Sequence, residues 1–195
     1  CIKTRRIIVH LHGGGIRKGV YDRSSLLRKL NRLVLRRVDT VVVLSDTLRH
    51  QFDHVIPDPD RIEALPNFAD DEFFLDSAGI RAKYDRRPWR IVFLSNMIES
   101  KGYRDLLDAY TGLDEEQRRS CTLSFAGAFL DPWREAEFRQ RIRNYPSVHY
   151  MGAVNGKDRT QLLHQGHIFV LPTYYPYEGQ PVSILEAYAA GCVVV

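Results

Sequence analysis

The sequence predicts an α/β protein of two Rossmann-like lobes, the first truncated and the second incomplete. Three observations predict it. Short apolar runs alternate with longer amphipathic stretches along most of the 195 residues, as in parallel sheets covered by helices on both faces. The alternation breaks down once, between Pro66 and Arg87, where Asp, Gly and aromatic residues mix without a period. This marks a connector at 67–87 between a lobe at 1–66 and a lobe at 88–195. The chain also opens at Cys1 and closes on Val193-Val194-Val195 inside an apolar run, so the expectation is a piece of a longer protein, inactive by itself.

In the first lobe, Arg6 to Leu11 reads as a buried parallel strand, and His12-Gly13-Gly14-Gly15 follows it as a tight loop. Asp22 or Ser24 is placed to cap a helix that runs to about Arg37. Its apolar face is Leu26, Leu27, Leu30, Leu33 and Val34, and its basic face is Arg23, Arg28, Lys29, Arg32 and Arg36. Thr40 to Leu44 is a second strand, Ser45 or Asp46 caps a helix to about Phe52, and Ile62 to Leu65 is a third strand. The connector carries one short helix near Ser77 to Tyr84.

The second lobe resumes with a strand at Trp89–Ser95 and a helix at Tyr103–Tyr110, whose Leu106, Leu107 and Tyr110 face inward. A short helix at 115–119, a strand at Cys121–Ala126 and a charged helix at Pro132–Asn144 carrying Trp133, Phe138 and Ile142 come next. Val148–Met151 is a strand and Asp158–His164 a helix. His167 to Pro172 is a buried strand, a turn-rich loop leads to a helix opened by Pro181, and Gly191 stops that helix before a last strand.

Composition excludes several classes. No apolar run approaches the ~20 residues of a membrane span, and no signal peptide is visible at the start. Cys1, Cys121 and Cys192 are scattered, which argues for a reducing compartment without disulfides or a thiolate zinc site. Residues 1–65 carry a net charge of +6 and the remainder −2. The basic helix is either a solvated face or a surface for a membrane or an anionic acceptor. Nucleic acid is not expected, because aromatic residues do not interleave with the basic ones and no recognition motif is present.

Several motifs carry chemistry. HGGG after a strand also occurs in esterases as an oxyanion hole, but the GxSxG elbow that this chemistry needs is missing. At a strand end, His12 points toward a ligand cleft, whereas His10 is expected to lie deeper and to be structural. His50 and His54 have the spacing of zinc ligands on a helix, yet Gln51 stands where a zinc peptidase has its glutamate, so no metal is assigned. His164 and His167 are read as structural. Lys101-Gly102 sits at a strand-to-helix turn from which a lysine reaches a phosphate. Glu178 lies in the last loop and Glu186 eight positions later on the following helix. They are either an acid/base pair or acceptors for sugar hydroxyls, and Glu186 is otherwise a buried helix residue bonded to backbone.

Together these pieces resemble the group-one retaining glycosyltransferases of the GT-B fold. EGQPVSILEAYAAGCVVV is similar to their E-x7-E segment, and FLSNMIESKGYRDLLDAY to the strand–loop–helix that opens their C-terminal lobe. VVVLSDTL and IEALPNFAD are similar to the end of their N-terminal lobe. The resemblance implies a UDP- or GDP-linked sugar donor held mainly by the C-terminal lobe, with no metal. It places Glu178 on the donor sugar, Glu186 on the ribose, and the backbone of Gly179, Gln180 and Pro181 by the sugar and diphosphate. Lys101 matches the lysine on the diphosphate, Val154 a backbone contact to the base, and His12 the histidine near the reacting sugar. One departure stands out: Asn96 occupies a position where the family often has arginine, and an amide brings no charge to a phosphate. The implied acceptor is a glycan or lipid-linked hydroxyl in cell-surface polysaccharide or glycolipid synthesis. The implied location is the cytoplasm, with peripheral contact at the inner face of the membrane through Arg23, Arg28, Lys29, Arg32 and Arg36. The alternatives are a nucleotide-sugar 2-epimerase on the same fold and a non-catalytic nucleotide-sugar-binding module.

Overall fold

The computed structural model describes residues 6–17, 19, 24–53, 55–56 and 58–195. The chain divides into two compact units, one made of Cys1–Asn67 with Pro176–Pro181 and the other of Phe68–Tyr175 with Val182–Val195. Residues 68–87 of the expected connector therefore pack as part of the second unit, whereas Asn67 and six residues of the expected second lobe pack with the first.

The first unit holds a parallel sheet of β1 (Ile8–Leu11), β2 (Thr40–Val43) and β3 (Ile62–Ala64), in the order β1-β2-β3. The β-branched run of β2 forms the central strand, and Val41 and Val43 are fully buried in it. Leu35, Val38, Phe52, Val55, Ile56 and Ile62 complete this core. β1 departs from the expected buried strand. It lies at the edge of the three described strands, so Ile8 is 63% exposed and His10, expected to lie deep, is exposed beside it.

Helix α1 spans Ser25–Leu35 and starts where Ser24 Oγ accepts the Leu27 N–H at 3.1 Å. Asp22, the other candidate cap, lies outside the described residues, as does Arg23. The apolar stripe of α1 faces solvent: Leu26 is 75% exposed, Leu30 54% and Leu33 60%, and only Leu35 of the helix is buried. Arg28, Lys29, Arg32 and Arg36 are exposed as well. The Arg61 guanidinium donates to the Leu35 and Arg36 carbonyls at 3.3 and 3.4 Å, placing positive charge at the helix C-terminus. The expected helix after β2 is a 3-10 turn, Asp46–Gln51. The Ser45 hydroxyl bonds the Thr47 hydroxyl at 2.7 Å rather than a backbone N–H, so the α-helical cap is not made.

The second unit is a five-stranded parallel sheet in the order β6-β5-β4-β7-β8. Its strands are β4 (Trp89–Leu94), β5 (Cys121–Ala126), β6 (Val148–Tyr150), β7 (Ile168–Phe169) and β8 (Val193–Val194). Helices α2 (Ser77–Tyr84), α3 (Tyr103–Thr111), α4 (Glu115–Ser120), α5 (Pro132–Ile142), α6 (Gly156–Gln165) and α7 (Val182–Ala189) connect and cover them. Phe93, Phe125, Phe169, Leu107 and Leu123 are fully buried, each contributing about 1.5–3 kcal/mol by leaving water. Edge-to-face contacts link Phe138 to Tyr103, Phe125 and Tyr150, so one face of the sheet is sealed by aromatic rings. Trp133, expected on the same face of α5, is 61% exposed and stacks under Arg134 instead. α4 begins with a reciprocal capping box between Asp114 and Gln117.

Polar ties fasten α2 to this unit. Lys83 is buried, and its Nζ donates to the Ala190 carbonyl at 2.7 Å, the Leu163 carbonyl at 3.3 Å and the Cys192 Sγ at 3.3 Å. One cation thus meets carbonyls near the C-terminal ends of both α6 and α7. His167 is structural, as its sequence setting suggested. Its Nδ1 accepts the Arg90 N–H at 2.9 Å, so its Nε2 carries the proton and donates to the Lys83 carbonyl at 2.9 Å. Burial, more than any neighbour, pushes its pKa below the usual histidine value. His164 Nε2 meets the Phe73 carbonyl at 3.1 Å and ties α6 to the segment before α2.

Candidate functional site

In the first unit, His12 is exposed at the end of β1, and its ring centroid stands 4.0 Å from that of His10. The glycines after it are required by a close approach. Gly14 N–H donates to the Tyr177 carbonyl at 3.0 Å, and a Cβ on Gly14 would stand 2.5 Å from the Glu178 carbonyl oxygen. A Cβ on Gly179 would in turn meet the His12 carbonyl at 2.9 Å. The two loops therefore lie backbone against backbone, and the structure brings His12, Glu178 and Gly179 together in one unit. Gln180 is held by Asn67 in a reciprocal pair: Asn67 N–H donates to Gln180 Oε1 at 2.7 Å, and Asn67 Nδ2 donates to the Gln180 carbonyl at 2.8 Å. The Gln180 amide oxygen is thereby committed to the protein. Pro181 ends this segment, and α7 begins at Val182 in the second unit.

In the second unit the remaining predicted residues follow the carboxyl ends of the parallel strands. Asn96 is exposed after β4, and its carbonyl accepts the Ile98 N–H at 2.8 Å. Lys101 ends a 3-10 turn, Glu99–Lys101, and its Nζ stands 4.8 Å from the Tyr175 ring centroid. Gly102 next to it has φ +79, and a Cβ there would fall 2.3 Å from the Pro172 carbonyl oxygen. Tyr174 N–H donates to the Ser100 carbonyl at 2.9 Å, which closes the loops after β4 and β7 on each other. Val154 follows β6 and lines a groove of about 690 Å³ on the sheet face, together with Arg90, Val92, Ser124, His149 and Asp158. Asn96, Lys101 and Glu186 do not line that groove.

Glu186 is 5% exposed on the second turn of α7. Arg159, on the first turn of α6, donates its Nε to Glu186 Oε2 at 2.9 Å and its Nη2 to the same oxygen. Burial is the largest influence on this carboxyl and raises its pKa; Arg159 opposes it, and Asp70 and Glu72 add to it. Glu178 belongs to the first unit and Glu186 to the second.

Sequence reading missed Arg159, Asn67 and Lys83. Arg159 stands 27 residues before its partner, and no local period marks it. Asn67 was legible only as part of the stretch IEALPNFAD. Of the histidine pair, His54 lies outside the described residues, and His50 Nδ1 meets the Thr47 carbonyl. Among the described residues no group of three or more His, Cys, Asp or Glu side chains is placed to hold a metal ion. Among them, too, no helix is long and apolar enough to cross a membrane.

With this geometry in place, the class of protein is defined. Residues 88–195, more than half of the chain, match the family described as Glycosyl transferases group 1. The chain belongs to that family. No curated protein matches it. Among solved structures, Anabaena Alr3699/HepE in complex with UDP and glucose is similar at 19% identity and a TM-score of 0.71, over 97% of this chain and 52% of that one. WaaG, a glycosyltransferase involved in lipopolysaccharide biosynthesis, is similar at 16% identity and a TM-score of 0.69, over 98% and 59%. Sucrose-phosphate synthase from Thermosynechococcus elongatus is similar at 18% identity and a TM-score of 0.69, over 96% and 49%. The likeness shows the fold, the α/β GT-B architecture with parallel sheets. The chain spans about half the length of the structures that it matches.

Proposed function

We propose that the intact protein transfers a hexosyl group from a nucleotide-sugar donor to an acceptor hydroxyl with retention, in cell-surface polysaccharide or glycolipid synthesis. The observation that carries the reading is Glu186, a nearly buried carboxylate held by Arg159 on the helix that follows the E-x7-E loop. A carboxyl group fixed in a half-dry site offers acceptor lone pairs to hydroxyl groups. In this reading Glu186 takes the ribose, Lys101 and the N-terminal turn of α7 take the diphosphate, and Val154 meets the base through its backbone. Glu178, with the backbone of Gly179, Gln180 and Pro181, takes the donor sugar, and His12 faces the reacting carbon. Residues 1–66 serve the acceptor and 88–195 the donor. Catalysis is positioning together with stabilisation of the departing diphosphate, without a metal. Similar structures support the donor class: HepE is seen with UDP and glucose, and the pneumococcal transferase GtfA with UDP and GlcNAc.

The exposed leucines of α1, flanked by Arg28, Lys29, Arg32 and Arg36, favour a cytoplasmic protein resting on an anionic membrane surface, where a lipid-linked acceptor is reached. The test is an assay of the full-length protein with a panel of UDP- and GDP-sugars. Glu186→Ala and Lys101→Ala are each expected to lower kcat/KM by a hundredfold or more, on the order of 3 kcal/mol. Unchanged turnover in both refutes the site. Asn96 favours one other reading, a nucleotide-sugar-binding module without transfer, which calorimetry would reveal as donor binding with no product.

A further inference from the structure

We infer that Arg159 is a positioning residue that clamps one oxygen of Glu186 and leaves the other as a single aimed acceptor for a vicinal diol of the ligand. The inference rests on the reading of Glu186 as the ribose contact. Its basis is the way the guanidinium meets the carboxylate. A fork-to-fork pair would engage both carboxylate oxygens. Here Nε and Nη2 converge on Oε2 alone. Oε1 receives no hydrogen bond from any described residue, and it is not among the side-chain atoms sealed from solvent without a partner, of which Asn31 Nδ2 is the one found among the described residues. The small exposed part of Glu186 therefore includes Oε1, an acceptor that awaits a donor.

The clamp joins two regular elements, the first turn of α6 and the second turn of α7, so the direction of Oε1 is set by helices rather than by a loop. The charged groups facing Glu186 are Arg159 from α6 and Asp70 and Glu72 from the segment around the 3-10 turn Asp71–Phe73. Both acids disfavour the carboxylate, and Arg159 is the one cation among these groups that favours it. Removing Arg159 frees the carboxyl to rotate and widens the pH range over which it holds a proton. A protonated, turning carboxyl is a poorer partner for two hydroxyls at fixed spacing.

The experiment is calorimetric titration of UDP, GDP and their 2′,3′-dideoxy forms into the intact protein and its Arg159→Leu and Arg159→Lys variants, at pH 5.5 and pH 8. The wild-type protein is expected to prefer the hydroxyl-bearing nucleotide by roughly tenfold. Arg159→Leu should lose most of that preference at pH 5.5 and less at pH 8, while binding the dideoxy form as the wild type does. Arg159→Lys, which restores the charge but not the two-point hold, should recover the pH profile and part of the preference. If Arg159→Leu weakens both nucleotide forms alike, Arg159 is a tie between helices only, and the inference is overturned. It is equally overturned if Arg159→Leu keeps the full preference at both pH values. A wild-type protein that binds neither UDP nor GDP overturns the nucleotide reading itself, and the inference with it. The dideoxy comparison in wild-type protein stands even where a variant fails to fold: no preference for the hydroxyls removes the diol.

Discussion

Replacing Gly14 with alanine tests a single contact in the first unit. Gly14 is not among the glycines at positive φ, so alanine carries no backbone strain there. The added Cβ would stand 2.5 Å from the Glu178 carbonyl oxygen. That oxygen must retreat by roughly 1 Å to reach ordinary van der Waals separation. The retreat breaks the bond from Gly14 N–H to the Tyr177 carbonyl. Losing that bond costs about 1 kcal/mol, and forcing a methyl against backbone adds about 1–3 kcal/mol. The total, about 2–4 kcal/mol, falls on the packing of 176–181 and not on the second sheet, so hydrogen exchange there should quicken by roughly thirtyfold or more. The assay is exchange followed by mass spectrometry, comparing peptides over 176–181 with peptides over β4. Gly13→Ala is the graded control, because its Cβ would meet the Tyr177 carbonyl at 3.1 Å, a contact that a small shift relieves. Unchanged exchange over 176–181 in Gly14→Ala, or a larger effect from Gly13→Ala, would refute the argument.

The remaining predictions concern buried polar groups. His167 has a folded pKa below its unfolded value, so only the unfolded state takes up its proton as pH falls below about 6.5. Stability is therefore full above that pH and declines as pH drops toward the folded pKa; the urea midpoint should fall between pH 7.5 and 5.5, and by less in His167→Gln. Lys83→Met leaves the Ala190 carbonyl without its donor and should cost about 2–4 kcal/mol in urea unfolding, while a loss under 0.5 kcal/mol would show the amine to be dispensable. Asn67→Ala removes the side-chain half of the clasp on Gln180 and should raise exchange over 176–181 while leaving the Asn67 N–H bond in place.

The strands and most helices of the second unit were legible because each carries its own period. Cys121–Ala126 and Ser77–Tyr84 begin and end where the residues alone place them. What failed were properties set by neighbours. The apolar stripe of α1 is evident in the sequence, but whether it is covered depends on what packs beside it, and in the described structure it is open. β1 has the composition of a buried strand, yet its place at a sheet edge exposes His10. Within the candidate site, Glu186 was visible as a helix carboxylate beside a loop. Arg159 was not, since its role arises only where α6 meets α7. The glycines of HGGG pointed to a tight turn, whereas the structure gives them a second reason, the backbone lying against Gly13 and Gly14.

The six-residue excursion of Pro176–Pro181 has a consequence for dissecting the protein. The polypeptide passes from one unit to the other three times: after Asn67, after Tyr175 and after Pro181. No single cut separates the units covalently, because a protease acting at Asn67–Phe68 leaves the first unit tethered through both ends of 176–181. A clone of residues 88–195, the span shared with the family, would carry that segment without the glycine loop and Asn67 that hold it. A clone of residues 1–67 would lack the segment that fills its own surface. The natural pieces for expression are thus interleaved along the chain, and a faithful split would join 68–175 to 182–195 through a short linker while fusing 176–181 to the end of the first piece.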